Sequence, residues 1–268
     1  MGKNKKAKIE EPVESDHSSS EEDESMEVVN EEFNAMFEGR NLEEFDYHGI
    51  KQLLLQAFAK APIDLSQITD MLINQQGIGS VLKQAPEDED EEEDPDDAND
   101  VYGLTTVLNL SSHRETPCVV QIIDYLKKKA KTHASEATFN TFNNVLNKNE
   151  KLGLLINIRF VNIPSTIAAP MLSSLQDEIN RRKKKDPTYN FQKFILICKI
   201  YKDKKGESSF VNEEEMLFSA NAECNFEFQV AKDNSGDEEN ISSFQKVLLI
   251  SADKLSDIIT QITTFVQT

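Results

Sequence analysis

The sequence predicts an α/β domain, a single mixed β-sheet with helices on both faces, preceded by a disordered acidic tail. Three observations carry that expectation. Nearly continuous apolar runs occur at 152–163 and 191–201, as strands covered on both faces require. Around them lie stretches whose apolar residues recur every three or four positions, the period of an amphipathic helix. Finally, the charge is gathered rather than spread. The formal net charge is −19, of which residues 1–32 carry −7 and residues 86–100 carry −11, so the rest of the chain sums to −1. A near-neutral body with detachable polyanionic segments fits one globular core plus solvated extras.

Taken in order, residues 1–28 form a lysine-rich start followed by Ser, Glu and Asp with few hydrophobes, a composition that cannot bury enough surface to fold. Lys3, Lys5, Lys6 and Lys8 read equally as a nuclear import signal or as a solvated terminus. Ser18, Ser19 and Ser20 each stand three residues before an acid. That spacing suits acidophilic kinases, and phosphorylation there adds further negative charge. The folded domain is expected over 29–268, opening with a strand at 28–37 that includes Phe33, Met36 and Phe37. A helix follows from Asp46, whose carboxylate can cap it, through Ile50, Leu53, Leu54, Ala57 and Phe58, until Pro62 breaks the pattern. A second helix is expected at 65–74. Gly77 and Gly79 then turn into a short strand at 78–83.

The acidic run interrupts from Pro86 to Asp100. Glu87, Asp88, Glu89, Asp90, Glu91, Glu92, Glu93 and Asp94 are consecutive, with Asp96, Asp97 and Asp100 following. Like-charge repulsion keeps such a run extended in water. It joins the strand at 78–83 to one at 101–110, which reads as an antiparallel pair. Helices are expected from Thr116-Pro117 to the lysines at 127–129, and at 135–146. The central strand at 152–163 stops at Pro164, which offers no ladder donor. A helix with Ile167, Met171, Leu172, Leu175 and Ile179 follows. It closes in Arg181, Arg182, Lys183, Lys184 and Lys185, cations where the macrodipole favours them. That cluster reads as a dipole-favoured helix end, an RNA contact or a second import signal. A strand at 191–201 precedes a Gly206 turn. Residues 216–230 read as one strand or a bent pair, 232–240 as a polar acidic loop, 247–250 as the last strand, and Ile258, Ile259, Ile262 and Phe265 as the last helix.

No catalytic constellation emerges. Asn74-Gln75-Gln76-Gly77-Ile78-Gly79 brushes the Gln/Arg-x-x-Gly-x-Gly cradle of acetyl-CoA enzymes, but its glycines lead into a strand, whereas anion cradles open onto a helix. An ordinary turn is the expectation. His17, His48, His113 and His133 show no metal-pair spacing, and Cys118, Cys198 and Cys224 are odd in number and widely separated. The acidic run lacks the glycine-punctuated spacing of a calcium loop. The chain thus reads as a non-enzyme without cofactor or metal. It shows neither a signal-peptide core nor a run long enough to cross a bilayer, and it reads as soluble and intracellular. Polyanions repel nucleic acids and anionic membranes and attract cationic partners in a salt-dependent way. The acidic run is therefore either a solvated spacer or a nucleic-acid mimic that engages a basic, RNA-binding protein.

Arg159-Phe160-Val161-Asn162-Ile163-Pro164, then Ile167-Ala168-Ala169-Pro170-Met171 and Leu175-Gln176-Asp177-Glu178, resemble the signature of the BCCIP family. Asp46-Tyr47-His48-Gly49-Ile50-Lys51, Ile78-Gly79-Ser80-Val81-Leu82-Lys83-Gln84 and Phe218-Ser219-Ala220-Asn221-Ala222-Glu223 also fit, and the likeness runs from about residue 28 to the C-terminus. The resemblance implies a sheet similar to that of GCN-type acetyltransferases without acetyl-CoA chemistry. It further implies residence in the nucleus with some cytoplasmic shuttling, nuclear protein export and a part in large-subunit ribosome biogenesis. There the family chaperones a basic ribosomal protein of the universal L-fourteen type. A phosphoinositide kinase and nuclear transport factors are further implied partners for fungal relatives, and cell-cycle and recombination partners for animal ones. The expected function is a nuclear chaperone or export adaptor for a basic ribosomal protein. The rival readings are a cell-cycle or DNA-repair scaffold and an acetyl-CoA-dependent acyltransferase.

Overall fold

The computed structural model describes residues 36–58, 61–85, 100–148, 150–230 and 242–267. The predicted tail, the 28–37 strand up to residue 35, the acidic run from 86 to 99 and the 232–240 loop lie outside the described residues. Strand β1 is Phe37–Asn41, later than expected, and α1 is Tyr47–Phe58. Asp46 does not cap α1. It closes a one-turn 3-10 helix, Glu44–Asp46, accepts the Glu43 N–H at 2.9 Å, and pairs with Lys83 at 2.7 Å. Helix α2, Leu65–Asn74, matches its expectation because Asp64 accepts the Gln67 N–H at its start.

Strands β2 (Ser80–Gln84) and β3 (Gly103–Asn109) form the expected antiparallel pair. Helices α3 (Pro117–His133) and α4 (Glu136–Asn147) lead to β4 (Leu152–Arg159), then α5 (Ala168–Arg182) and β5 (Lys193–Lys202). The short β6, Ser208–Phe210, has no counterpart in the sequence reading. Residues 216–220 are not strand. They belong to α6, Glu215–Ala220, which places Phe218 in the core and closes where Asn221 Nδ2 donates to the Leu217 carbonyl. Alternation begins only at β7, Cys224–Gln229, where Phe226 and Phe228 point inward. Strand β8 (Ser242–Ser251) is longer than its apolar centre announced, and α7 is Leu255–Phe265.

Among the described residues one eight-stranded sheet runs β1-β2-β3-β4-β5-β8-β7, with β6 pairing β5 off that path. Only β4 and β5 are parallel, so the sheet is mixed. Alternate strand residues face two separate cores. One holds Leu104, Leu108, Leu154, Ile156, Ile195 and Phe226 under α1 to α4. The other holds Val107, Leu155, Leu196, Cys198, Leu248 and Ile250 under α5, α6 and α7. The near-unbroken apolar composition of β4 and β5 follows from that double coverage.

The glycine pair before β2 is an ordinary turn. Gly77 and Gly79 have φ of 72° and 92°, in the left-handed region. The Gly79 N–H donates to Glu178 Oε2 at 2.6 Å, so this amide already holds a carboxylate of α5. A Cβ on Gly77 would meet nothing within 4 Å, whereas on Gly79 it would clash with the Thr106 side chain. Gly77→Ala is therefore expected to cost about 1 kcal/mol of backbone strain. Gly79→Ala adds a steric clash worth roughly 1–3 kcal/mol more. Denaturant unfolding of the two variants measures the difference.

Candidate functional site

Two features of the sheet bear on function: where its strands end, and where its central ladder parts. β1 to β4 alternate in direction, so the start of β1, the end of β2, the start of β3 and the end of β4 share one end of the sheet. Backbone bonds stitch that end together: Ala85 N–H to the Met36 carbonyl at 2.8 Å, Tyr102 to Leu82 at 2.8 Å, and Phe160 to Tyr102 at 3.0 Å. β5 is parallel to β4, and β8 and β7 alternate from it, so the end of β7 and the start of β8 lie there too. Every acid-rich stretch outside the described residues is thereby joined to this end: 1–35 before β1, 86–99 between β2 and β3, and 231–241 between β7 and β8, the last with four acids and one lysine.

The parallel ladder between β4 and β5 spans only Leu152↔Lys193 to Leu155↔Leu196. Beyond it the strands part, and residues 208–215 fill the wedge. β6 pairs with β5, and the Val211 N–H continues to the Lys199 carbonyl. From the filled wedge Glu214 meets Arg159 of β4 through a two-pronged contact, Nη1 to Oε1 and Nη2 to Oε2 at 2.9 Å. Asn157 Nδ2 donates to Glu214 at 3.0 Å, and Arg159 Nε donates to the Ile163 carbonyl at 3.2 Å. Asn212 Nδ2 donates both to the Asn157 carbonyl and to Glu215 Oε1, each at 3.1 Å. All of these side chains are buried.

Glu215 lines a small cleft with Gln56, Ala57, Asn157, Arg159, Lys199 and Asn212. Burial, then the charge of Glu214, pushes its carboxyl up to about 8, against hydrogen bonds from Asn212 and Cys198 and the charge of Arg159. Burial likewise raises the Cys198 thiol well above its ordinary value, with Glu215 adding to the effect. Both groups are neutral at pH 7. A thiol held protonated is a poor nucleophile.

Of the sequence-predicted site residues, Lys3, Lys5, Lys6, Lys8, Ser18, Ser19, Ser20 and the acids from Glu87 to Asp97 lie outside the described residues. Asp100 is exposed and accepts from the Tyr102 hydroxyl at 3.4 Å. The cluster at 181–185 sits at the opposite end of the sheet, because α5 runs back from the end of β4 to where Gln192 N–H bonds the Lys151 carbonyl. Arg182 lies 5.3 Å from the Tyr189 ring. His48, His113 and His133 do not converge, and His133 packs on Phe228. The Asn157, Arg159, Asn212, Glu214, Glu215 network was missed. Its one advance signal is an asparagine and an arginine inside an otherwise apolar strand.

The BCCIP family model matches residues 32–246. The chain belongs to the BCCIP family. It is 36% identical over 255 residues to the Drosophila melanogaster Protein BCCIP homolog, covering 88% of this chain and 86% of that protein. It is 32% identical over 256 residues to the Homo sapiens BRCA2 and CDKN1A-interacting protein, covering 87% of this chain and 81% of that protein. In fold the chain is similar to the crystal structure of BCP1 from Saccharomyces cerevisiae, with a TM-score of 0.61 at 18% identity, over 94% of this chain and 97% of that one. Arg159, which lies within the matched residues, anchors the filled wedge.

Removing one partner of a buried pair leaves the other charge uncompensated. Arg159→Met is therefore expected to cost about 3–5 kcal/mol in denaturant unfolding. Because the folded state holds the Glu215 proton up to about 8, stability from this group is complete in acid and falls as pH rises from the ordinary carboxyl range through about 8. Glu215→Gln is expected to remove that loss, worth roughly 1–3 kcal/mol or a few degrees of melting temperature near pH 9. Melting curves of both proteins between pH 5 and pH 9 (about four units apart, across the titration) check the sign.

Proposed function

We propose that this BCCIP family member is a non-enzymatic nuclear chaperone and export adaptor for a basic ribosomal protein of the large subunit, of the universal L-fourteen type. The observation that carries the reading is the joining of three acid-rich stretches to one end of a near-neutral sheet. Gathered charge steers a cationic client and screens it, while the folded end supplies register. Shuttling between nucleus and cytoplasm, and contacts with a phosphoinositide kinase and transport factors, belong to the same proposal.

Acyl transfer is the weaker reading, and a likeness to the acetyltransferase sheet is kept here as fold only. The Gly79 amide, where a cradle would meet pyrophosphate, is occupied by Glu178. The wedge beside β4 is filled, and Cys198 and Glu215 are held neutral. A second functional reading rests on the printed name of the human relative, which gives that protein BRCA2 and CDKN1A as partners. In it, the same acidic end serves a cell-cycle or repair scaffold. Affinity capture on the full-length protein separates the two: basic ribosomal proteins are expected on the first, repair and cell-cycle proteins on the second.

Replacing the ten acids between Glu87 and Asp97 by Gln and Asn is expected to leave the melting temperature within about 2 °C. It should weaken binding of the purified ribosomal client at least about tenfold at low salt and flatten the salt dependence. Titration at two ionic strengths measures both, and unchanged binding at low and high salt would overturn the screening mechanism.

A further inference from the structure

We infer that an apolar strip across the acid-bearing end of the sheet is a docking surface for hydrophobic side chains carried by a lysine- and arginine-rich segment of a partner protein. The inference rests on the proposed function and names the surface that function uses. Met36, just before β1, is 71% exposed, and Val161, just after β4, is 76% exposed. Beside them in the chain, Phe37 and Phe160 belong to a row of half-buried rings. Phe37 meets Tyr102 edge-on with centroids 5.4 Å apart, and Tyr102 meets Phe160 edge-on at 6.3 Å. The row sits on buried Leu82, Ile163 and Met171. Three rings from three strand ends thus make one supported surface, and the exposed Met36 and Val161, next to two of those rings in the chain, leave its margins open to a partner.

The charge around the strip selects the occupant. The polyacidic stretch leaves the fold at Ala85, whose N–H bonds the Met36 carbonyl, and returns at Asp100, which accepts from the Tyr102 hydroxyl. Both of its attachment points, after β2 and before β3, are therefore on the strands that carry or adjoin the aromatic row. Nucleic acid is repelled by a charge run joined to this end. A second copy brings the same acids against it, and the chain's own residues 1–32, at −7, are like-charged. A cationic segment is attracted, and its intervening apolar side chains find rings and aliphatic groups already held in place. Lysine and arginine stems add apolar length to the same contact.

The test uses the full-length protein and two fluorescent probes of about 20 residues, each with about eight lysines to oppose the consecutive acids Glu87 to Asp94, one with leucine at every third or fourth position and one with serine there. The native protein is expected to prefer the leucine probe by about tenfold or more, the value of burying roughly one leucine. Met36→Glu with Val161→Glu adds acid while spoiling the strip. It should hold or tighten the serine probe and reduce the preference to about twofold or less. Met36→Ser with Val161→Ser, which leaves the charge alone, should reduce it likewise. Equal binding of the two probes by the native protein would overturn the strip and leave the charge-based function standing. Binding of neither would overturn both. A preference that survives both double variants removes the strip from the interface. If Val28→Ser, Val29→Ser and Phe33→Ser together tighten the leucine probe, the strip belongs to the chain's own N-terminal segment. Self-association abolished by the glutamate variants would assign it to a second copy. Either result overturns the inference.

Discussion

The bidentate contact between Arg159 and Glu214 is the constraint on which the centre of this sheet depends. Parallel strands that part after four rungs leave unpaired amides and carbonyls facing each other across a gap, a cost that must be met by other partners. Here residues 208–215 meet it, first by strand pairing and then by side chains, and the charge pair fixes that filling segment to β4. Asn157 and Asn212 satisfy what remains of the carboxylate and the backbone. A buried pair is seldom a source of net stability over an apolar substitute, but it is specific about geometry. The geometry it specifies is the one that carries the start of α6 onto the sheet.

Much of this fold was legible because local chemistry and global position agree. Ser135 and Pro117 mark helix starts where the structure has them, and β4 and β5 are largely apolar because helices cover both their faces. The misreadings have physical causes. Residues 216–220 are rich in apolar side chains with no clear period, so strand and helix were indistinguishable until Phe218 is seen filling the α7 side of the sheet. β6 is three residues long and mostly exposed, and it exists only because β5 offers an edge where β4 departs. Asp46 was read as a helix cap, but a lysine from a distant strand claims it.

The candidate site was legible only in its charge. Composition set the acids apart as detachable segments, yet nothing in their spacing reveals that all are joined to one end. That follows from strand directions, which are a property of the whole sheet. The exposed Met36 and Val161 were equally hidden, since both lie at the margins of apolar stretches and were counted as strand interior.

Helix α5 begins beside the acid-bearing end and finishes at the other, leaving Arg181, Arg182, Lys183, Lys184 and Lys185 at the far pole. The two ends of the sheet are consequently unlike, and a large polyanion attracts one and repels the stretches joined to the other. At a surface dense in phosphate that asymmetry favours the orientation with the terminus of α5 forward.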